Sequence, residues 1–125
     1  MNVVDSSAWL EYFADGPNAS FFSAPIEQIE ELLVPSLTIY EVFKRVFQQR
    51  DEGEALRAVA VIQQGAVVDL DARIALSAAR ISLDARLPMA DSIVLATARA
   101  YGATLWTQDV DFKGFPGVRY RRRKS

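Results

Sequence analysis

The alternation of short apolar runs with longer, helix-patterned segments is the feature that most constrains the fold of this chain. The apolar runs have the length of buried strands, and the segments between them repeat apolar residues at helical spacing, as Ile39, Phe43 and Val46 do. Short buried strands that alternate with helices form parallel sheets covered on both faces. The sequence therefore predicts an α/β fold. The predicted strands are 1–5, 32–34, 67–68 and 104–107, with 118–120 as a fifth candidate.

Capping and breaking residues set the expected helix boundaries. Gly16-Pro17 and Leu87-Pro88 interrupt the helical pattern, Asp71 is a favoured N-cap, and Gly102 is a typical C-terminal stop. Pro35 is expected to stop the second strand. The predicted helices are 6–14, about 18–31, about 36–50, 52–63, from Asp71 to about 85, and 89–101.

The residue types that are missing exclude several kinds of chemistry. The chain has no His and no Cys, so a Ser-His-Asp triad, a thiol nucleophile, a thiolate zinc site and a disulfide are impossible. Its 125 residues fit one domain, predicted over 1–125, and no uncharged stretch approaches the ~18 residues of a membrane span. The N-terminus lacks the basic region and long apolar core of a signal peptide. We therefore expect a soluble protein of the cytoplasm with no membrane partner.

Four separated acids lie at the edges of segments built for burial. Asp5 ends the first apolar run, and Glu41 lies inside an apolar helical pattern. Asp91 opens a nearly all-apolar helix, and Asp109 follows a short strand. The carboxyl ends of parallel strands and the starts of the following helices share one edge of the sheet, where sites form. Clustered carboxylates need a compensating cation, and oxygen ligands select a hard one such as Mg²⁺ or Mn²⁺.

Two of these acids also have a purely structural explanation. Asp5 could simply cap the helix that begins at Ser6. The segment Thr38–Glu41 matches the capping-box pattern, and Lys44 and Arg45 are spaced to form ion pairs with Glu41. For each acid, the sequence alone leaves open both a structural role and a role in a site.

The other acids are ambiguous in a similar way. Asp91 could complement the helix dipole, yet its helix is apolar on nearly every side and is expected to be buried. Asp109 and Asp111 could both be ordinary turn acids. What favours a site is the order, spacing and edge placement of all the acids together.

Basic residues are concentrated at the C-terminal end. Residues 119–125 carry five basic groups and no acid, against sixteen acids and nine basic groups in the rest of the chain. Such a tail suits contact with phosphates or an acidic partner, for which Arg121, Arg122, Arg123 and Lys124 are the candidates. The alternative is a solvated, frayed terminus.

The segments around the four acids resemble the PIN-domain ribonucleases, and within them the VapC-type toxins of bacterial and archaeal toxin–antitoxin pairs. Val3–Leu10 resembles the family's opening strand and first acid, and Ser36–Val42 the helix with its second acid. The most specific match is Leu87–Ile93, a Leu-Pro-x-x-Asp segment before an Ala-rich helix. Thr107–Phe112 is similar to the terminal Thr-x-Asp-x-Asp-Phe motif. The resemblance covers essentially the whole chain.

This resemblance implies a three-layer α/β/α domain with a parallel sheet of about five strands. It implies Mg²⁺- or Mn²⁺-dependent cleavage of RNA that leaves a 5′-phosphate and a 3′-hydroxyl, and hence inhibition of translation. It also implies a homodimer and a small VapB-type protein antitoxin that covers the site, with DNA contacted only through that antitoxin.

The resemblance also suggests a role for each residue. Asp5 and Asp91 would be the main metal ligands, while Glu41 and Asp109 would orient the attacking water or hold a second ion. Asp109 fits the family's fourth acid, with Asp111 as support. The hydroxyls expected to hydrogen-bond the ligand carboxylates are those of Ser6 and Thr107.

Other functions fit the sequence less well. A catalytically silent binding module of the same fold would present its aromatic residues to a partner, although those residues are more often core. They are Trp9, Tyr12, Phe13, Phe21 and Phe22. A receiver-like phosphoacceptor or a carboxylate-metal phosphatase would place two acids close together after the first strand, where this chain has only Asp5.

Overall fold

The computed structural model describes residues 1–124 and contains five parallel strands in the order β3-β2-β1-β4-β5. The strands are β1 (Asn2–Val4), β2 (Leu32–Pro35), β3 (Ala66–Val68), β4 (Thr104–Thr107) and β5 (Val118–Tyr120). The helices are α1 (Ser6–Phe13), α2 (Ala19–Glu27), α3 (Ser36–Gln49), α4 (Glu52–Ile62), α5 (Ala72–Ala85) and α6 (Met89–Ala100). Short 3₁₀ turns cover Ile29–Glu31 and Val110–Phe112.

The sheet separates two apolar cores, because successive side chains of a strand point to opposite faces. Val3 and Leu105 pack in the core that includes residues of α5 and α6. Val4 and Trp106 pack in the core that includes residues of α1 to α4. The predicted three-layer α/β/α architecture with about five parallel strands is therefore confirmed.

Most aromatic side chains suggested for the core lie there. Trp9 and Phe22 are fully buried, and Tyr12, Phe13 and Phe21 pack against the same core while remaining partly accessible. Trp9 stacks on Phe13 with ring centroids 5.6 Å apart. The aromatic cluster therefore serves mainly to join α1 and α2 to the sheet.

Two predicted element boundaries are wrong. The helix expected over 18–31 ends at Glu27, and a 3₁₀ turn then leads into β2. Pro25 lies inside that helix, where it removes one backbone donor, and the helix stops two residues later. Pro35 is the last residue of β2, in register with Val68, and not the first residue beyond it.

Other predicted boundary residues act as expected. The Asp71 carboxylate accepts a hydrogen bond from the Ile74 amide at 2.9 Å and caps α5. Gly102 follows α6 with a φ of 62°, a conformation that glycine adopts without strain. In residues 1–124, none of the helices has both the length and the apolar composition needed to cross a bilayer.

Candidate active site

The four acids predicted to converge lie at the carboxyl edge of the sheet. Asp5 directly follows β1, and Asp109 comes two residues after β4. Glu41 is in the second turn of α3, which begins immediately after β2, and Asp91 is in the first turn of α6. Because β2, β1 and β4 are neighbours in the sheet, their ends bring these side chains to one place.

Three of the carboxylates are close enough to share one ion. Asp91, Asp109 and Asp111 each offer an oxygen, and these three atoms lie within 4.8 Å of one another. Asp111 therefore belongs to the acid cluster along with Asp109. The distances alone do not distinguish which of the two is the fourth acid. Asp5 and Glu41 adjoin this trio: burial is the main cause of the raised pKa of each, and the charge of Asp109 raises both further.

Asp5 has the capping role that the sequence left open, and its carboxyl also lies beside the acid cluster. It is the N-cap of α1, accepting from the Ala8 amide at 3.3 Å, and the Ser7 hydroxyl donates to its Oδ1 at 2.9 Å. Only 4% of the residue is exposed. Burial raises the pKa of Asp5 from 3.8 to about 7, against the lowering effect of hydrogen bonds with Ser7, Ala8 and Thr107.

The structural explanation offered for Glu41 is wrong. Because α3 begins at Ser36, Thr38 is already inside the helix, where its hydroxyl is buried and does not cap. Lys44 donates to the Tyr40 hydroxyl at 3.4 Å, and neither Lys44 nor Arg45 forms an ion pair with Glu41 in residues 1–124. The Glu41 carboxylate thus stays available to the site.

Burial and like charge shift the remaining acids of the cluster. Burial raises the pKa of Glu41, and the facing Ser6 hydroxyl lowers it. Burial, followed by the charges of Asp109, Asp111 and Glu41, raises the pKa of Asp91 to about 6. A cation bound among these carboxyls would offset their mutual repulsion and favour their charged forms.

The two predicted supporting hydroxyls lie within the site. Thr107 Oγ1 accepts a hydrogen bond from the Asp109 amide at 2.9 Å, and Thr107 also lowers the pKa of Asp5. Ser6 faces Glu41. The Asp109 carboxylate in turn accepts from the Asp111 amide at 2.9 Å, which fixes the loop that carries both acids.

Three residues that the sequence interpretation missed complete this edge. Ser7 holds Asp5, and its position two residues after the acid and in the first turn of a helix was a usable signal. Gln108 donates to the Ser7 carbonyl at 3.4 Å, and the buried Asn18 amide donates to Gln108 Oε1 at 3.0 Å. The last contact joins residues far apart in sequence, so no local pattern indicates it.

The basic tail lies against the same edge and is not frayed in its first part. The Arg121 amide donates to the Thr107 carbonyl at 3.0 Å, and Asn18 Nδ2 donates to the Arg122 carbonyl at 3.0 Å. The side chains of Arg121, Arg122, Arg123 and Lys124 are exposed.

None of the acids at this edge forms an ion pair with a Lys or Arg side chain in the described residues. In the part of the chain that the structure describes, the ion pairs are Met1–Glu31 and Glu54–Arg57, neither of which involves the site. Clustered, partly buried carboxylate oxygens of this kind match the ligands of a hard divalent ion. The residues present can therefore hold a metal ion.

Comparisons with known proteins agree with this arrangement. The sequence model of the PIN domain matches residues 3–118. Comparison with curated proteins gives no match.

Several solved structures share the fold over nearly the full chain. A toxin–antitoxin complex from Klebsiella pneumoniae is 22% identical with a TM-score of 0.79, covering 95% of this chain and 96% of that one. The sarcin-ricin loop cleaving toxin VapC20 from Mycobacterium tuberculosis is 17% identical with a TM-score of 0.76, covering 95% and 99%. VapBC2 from Rickettsia felis, bound to a promoter DNA fragment, is 13% identical with a TM-score of 0.75, covering 97% of each chain.

Proposed function

This chain belongs to the PIN domain family. From this membership and the geometry of the acids, we propose that it is a metal-dependent endoribonuclease. The observation that carries the proposal is the meeting of five carboxylates at the carboxyl edge of the sheet, none of which forms an ion pair in the described residues. The proposed ligands of the ion, Mg²⁺ or Mn²⁺, are Asp91, Asp109 and Asp111, with Asp5 and Glu41 completing the cluster.

The chain's own residues have defined tasks in this reaction. A divalent ion, when bound, supplies Lewis-acid chemistry that makes a water nucleophilic near neutral pH and offsets the charge of the phosphate. Asp5 is held in one orientation by Ser7 and by the Ala8 amide. Glu41, whose pKa is raised by burial, would accept a proton from the attacking water. Attack in line with the departing 3′-oxygen leaves a 5′-phosphate and a 3′-hydroxyl.

We further propose that the chain acts as a toxin controlled by a protein antitoxin. The solved structures similar in fold include toxin–antitoxin complexes, one of them bound to promoter DNA. In this proposal the free chain inhibits translation by cutting cytoplasmic RNA, forms a homodimer, and contacts DNA only through its antitoxin.

Cleavage of total cellular RNA by the purified, antitoxin-free chain tests the nuclease. Mg²⁺ or Mn²⁺ should give discrete products, and EDTA or Asp91→Asn should abolish them. Asp84→Asn, which changes an exposed acid on α5, is the matched control and should cleave normally. Folded wild-type protein that cleaves nothing in either metal would instead favour a catalytically silent binding module.

A further inference from the structure

A groove of about 480 Å³ lies beside the acids. Four of its lining residues come from α1, among them Ser6, while Ala14 follows that helix and Gln108 follows β4. From α3 come Glu41, Arg45 and Gln49, which are spaced by four and so form one stripe along the helix. The remaining lining residue is Arg123 of the tail. The groove therefore shares Glu41 and Ser6 with the site and adds two guanidinium groups to it.

Neither arginine is neutralised by the protein. In residues 1–124, Arg45 and Arg123 take part in no ion pair, and both side chains are exposed. Glu11 also lines the groove, and its carboxylate accepts a hydrogen bond from the backbone N–H of Asn18 at 2.7 Å and forms no ion pair with either arginine in the described residues. Two free guanidinium groups near a phosphate-cleaving site are suited to bind further phosphates of the same strand.

The tail is held so that Arg123 reaches this groove. Asn18 is 1% exposed, and its side-chain amide donates both to Gln108 Oε1 and to the Arg122 carbonyl. The Arg121 guanidinium lies 4.1 Å from the centroid of the Phe21 ring. Arg123 comes immediately after these two anchored residues, so its backbone position is set by contacts that span the chain.

We propose that the groove binds the sugar–phosphate backbone of a single RNA strand next to the scissile bond. Arg45 and Arg123 contact phosphates, and Asn18 is a positioning residue that acts through the tail. This inference rests on the proposed function, because it is the acid site that makes RNA the expected occupant. The uncharged Ser and Gln side chains of the groove can hydrogen-bond a nucleic acid strand.

RNA binding is measured under conditions that prevent cleavage. A failure of the groove proposal can then be distinguished from a failure of the nuclease proposal. All variants are made in the Asp91→Asn protein, in EDTA, and the probe is a fluorescent single-stranded RNA oligonucleotide of mixed sequence. Affinity is followed from 50 to 300 mM salt. Arg45→Gln and Arg123→Gln should each lower the salt slope by roughly 0.7 and weaken binding about fourfold at 0.15 M salt. Arg45→Lys should keep the slope.

Arg80→Gln is the control for net charge, because Arg80 is an exposed arginine on α5 that does not line the groove. It should leave the slope near that of the parent. Equal effects of Arg80→Gln and Arg45→Gln would overturn the proposal, as would a slope unchanged by both groove variants. Groove variants that bind RNA normally but lose a protein partner would assign the groove to protein and also overturn it.

Asn18 is tested by a double-mutant cycle. Asn18→Ala should lower the salt slope when Arg123 is present and have no further effect in the Arg123→Gln background. Asn18→Leu, which keeps the volume and removes the donor, is the second variant if the alanine protein is unstable. An effect of either substitution that is the same with and without Arg123 would show a purely structural role and overturn the positioning assignment.

Discussion

Asp109 acts on more of the site's carboxyl groups than its neighbours do. Its charge raises the pKa of Asp5, Glu41 and Asp91, whereas the charge of Asp111 raises only that of Asp91. Asp111 is also exposed, while Asp109 is partly buried. Both offer an oxygen to the possible metal site. Asp109, however, is the acid whose charge acts on the pKa of Asp5, Glu41 and Asp91.

Asp109→Asn should therefore impair metal binding and cleavage more than Asp111→Asn. We expect a loss of at least about 100-fold in kcat/KM for Asp109→Asn, equivalent to about 3 kcal/mol, and a smaller loss for Asp111→Asn. Metal affinity, from the rise in Tm on adding Mn²⁺, should follow the same order. The reverse order would place the metal nearer to Asp111.

The buried carboxyl of Asp5 should make the metal-free protein less stable as the pH rises. Its pKa is about 7 in the folded chain, above its ordinary value of 3.8. A raised pKa means that the folded state binds the proton more tightly, so this contribution is full below about pH 4 and is lost by about pH 7. At about 1.4 kcal/mol per pKa unit the change amounts to several kcal/mol.

Urea unfolding in EDTA between pH 4 and pH 8 measures this effect. Asp5→Asn cannot titrate and should flatten most of the dependence, with Asp91 and Glu41, whose pKa values are also raised, contributing the remainder. Asp51→Asn changes another aspartate N-cap, the exposed one of α4, and should leave the dependence intact. Stability that rises from pH 5 to pH 8 in EDTA would contradict the prediction.

The site residues divide into those that a sequence pattern can indicate and those that it cannot. Asp5, Asp91 and Asp109 follow strands or begin a helix, so topology alone predicts that they meet. Ser6 and Thr107 are neighbours of acids in sequence. Asn18 is different, because its hydrogen bond to the Arg122 carbonyl joins residues 104 positions apart. Contacts of that kind depend on how the tail packs, which neither periodicity nor local motifs report.

The start of helix α3 is another feature that the local sequence pattern does not predict correctly. The Thr38–Glu41 pattern matches a capping box, yet β2 runs directly into α3 at Ser36 and makes Thr38 an interior residue. Strand order and the strand–helix connection decide this start, and they override the local signal. The consequence is a Thr38 hydroxyl that is buried and without a hydrogen-bond partner in residues 1–124.

Thr38→Val should be neutral or should stabilise the protein by about 1 kcal/mol. Valine has nearly the shape of threonine and removes a hydroxyl that gains nothing from its surroundings. Thr97→Val is the matched control, since Thr97 is also buried in a helix but donates to the Ile93 carbonyl at 2.7 Å. Chemical denaturation should show a loss for the control only. A loss of 1 kcal/mol or more for Thr38→Val would indicate that the hydroxyl has a partner in solution.

The helical layer of α5 and α6 exposes its apolar side chains more fully than Leu56 is exposed on the opposite layer. Leu83 at the end of α5 is 82% exposed and Met89 at the start of α6 is 75% exposed. Both line an apolar cavity of about 560 Å³ with Leu70 and Ile93. On the opposite layer, Leu56 of α4 is 55% exposed. Exposed apolar patches of this kind mark interaction surfaces, and the α5–α6 patch is the more apolar candidate for the proposed homodimer.

Leu83→Glu should convert the proposed homodimer to a monomer. In a two-fold interface each substitution is present twice, so two buried glutamates face an apolar surface without partners. Sedimentation equilibrium of the antitoxin-free chain measures the change, and Leu56→Glu, which adds the same charge to the other layer, should remain dimeric. Because the acids lie at the sheet edge and not at this patch, a monomeric Leu83→Glu protein should still bind Mn²⁺. Dissociation by Leu56→Glu alone would place the interface on α4 instead.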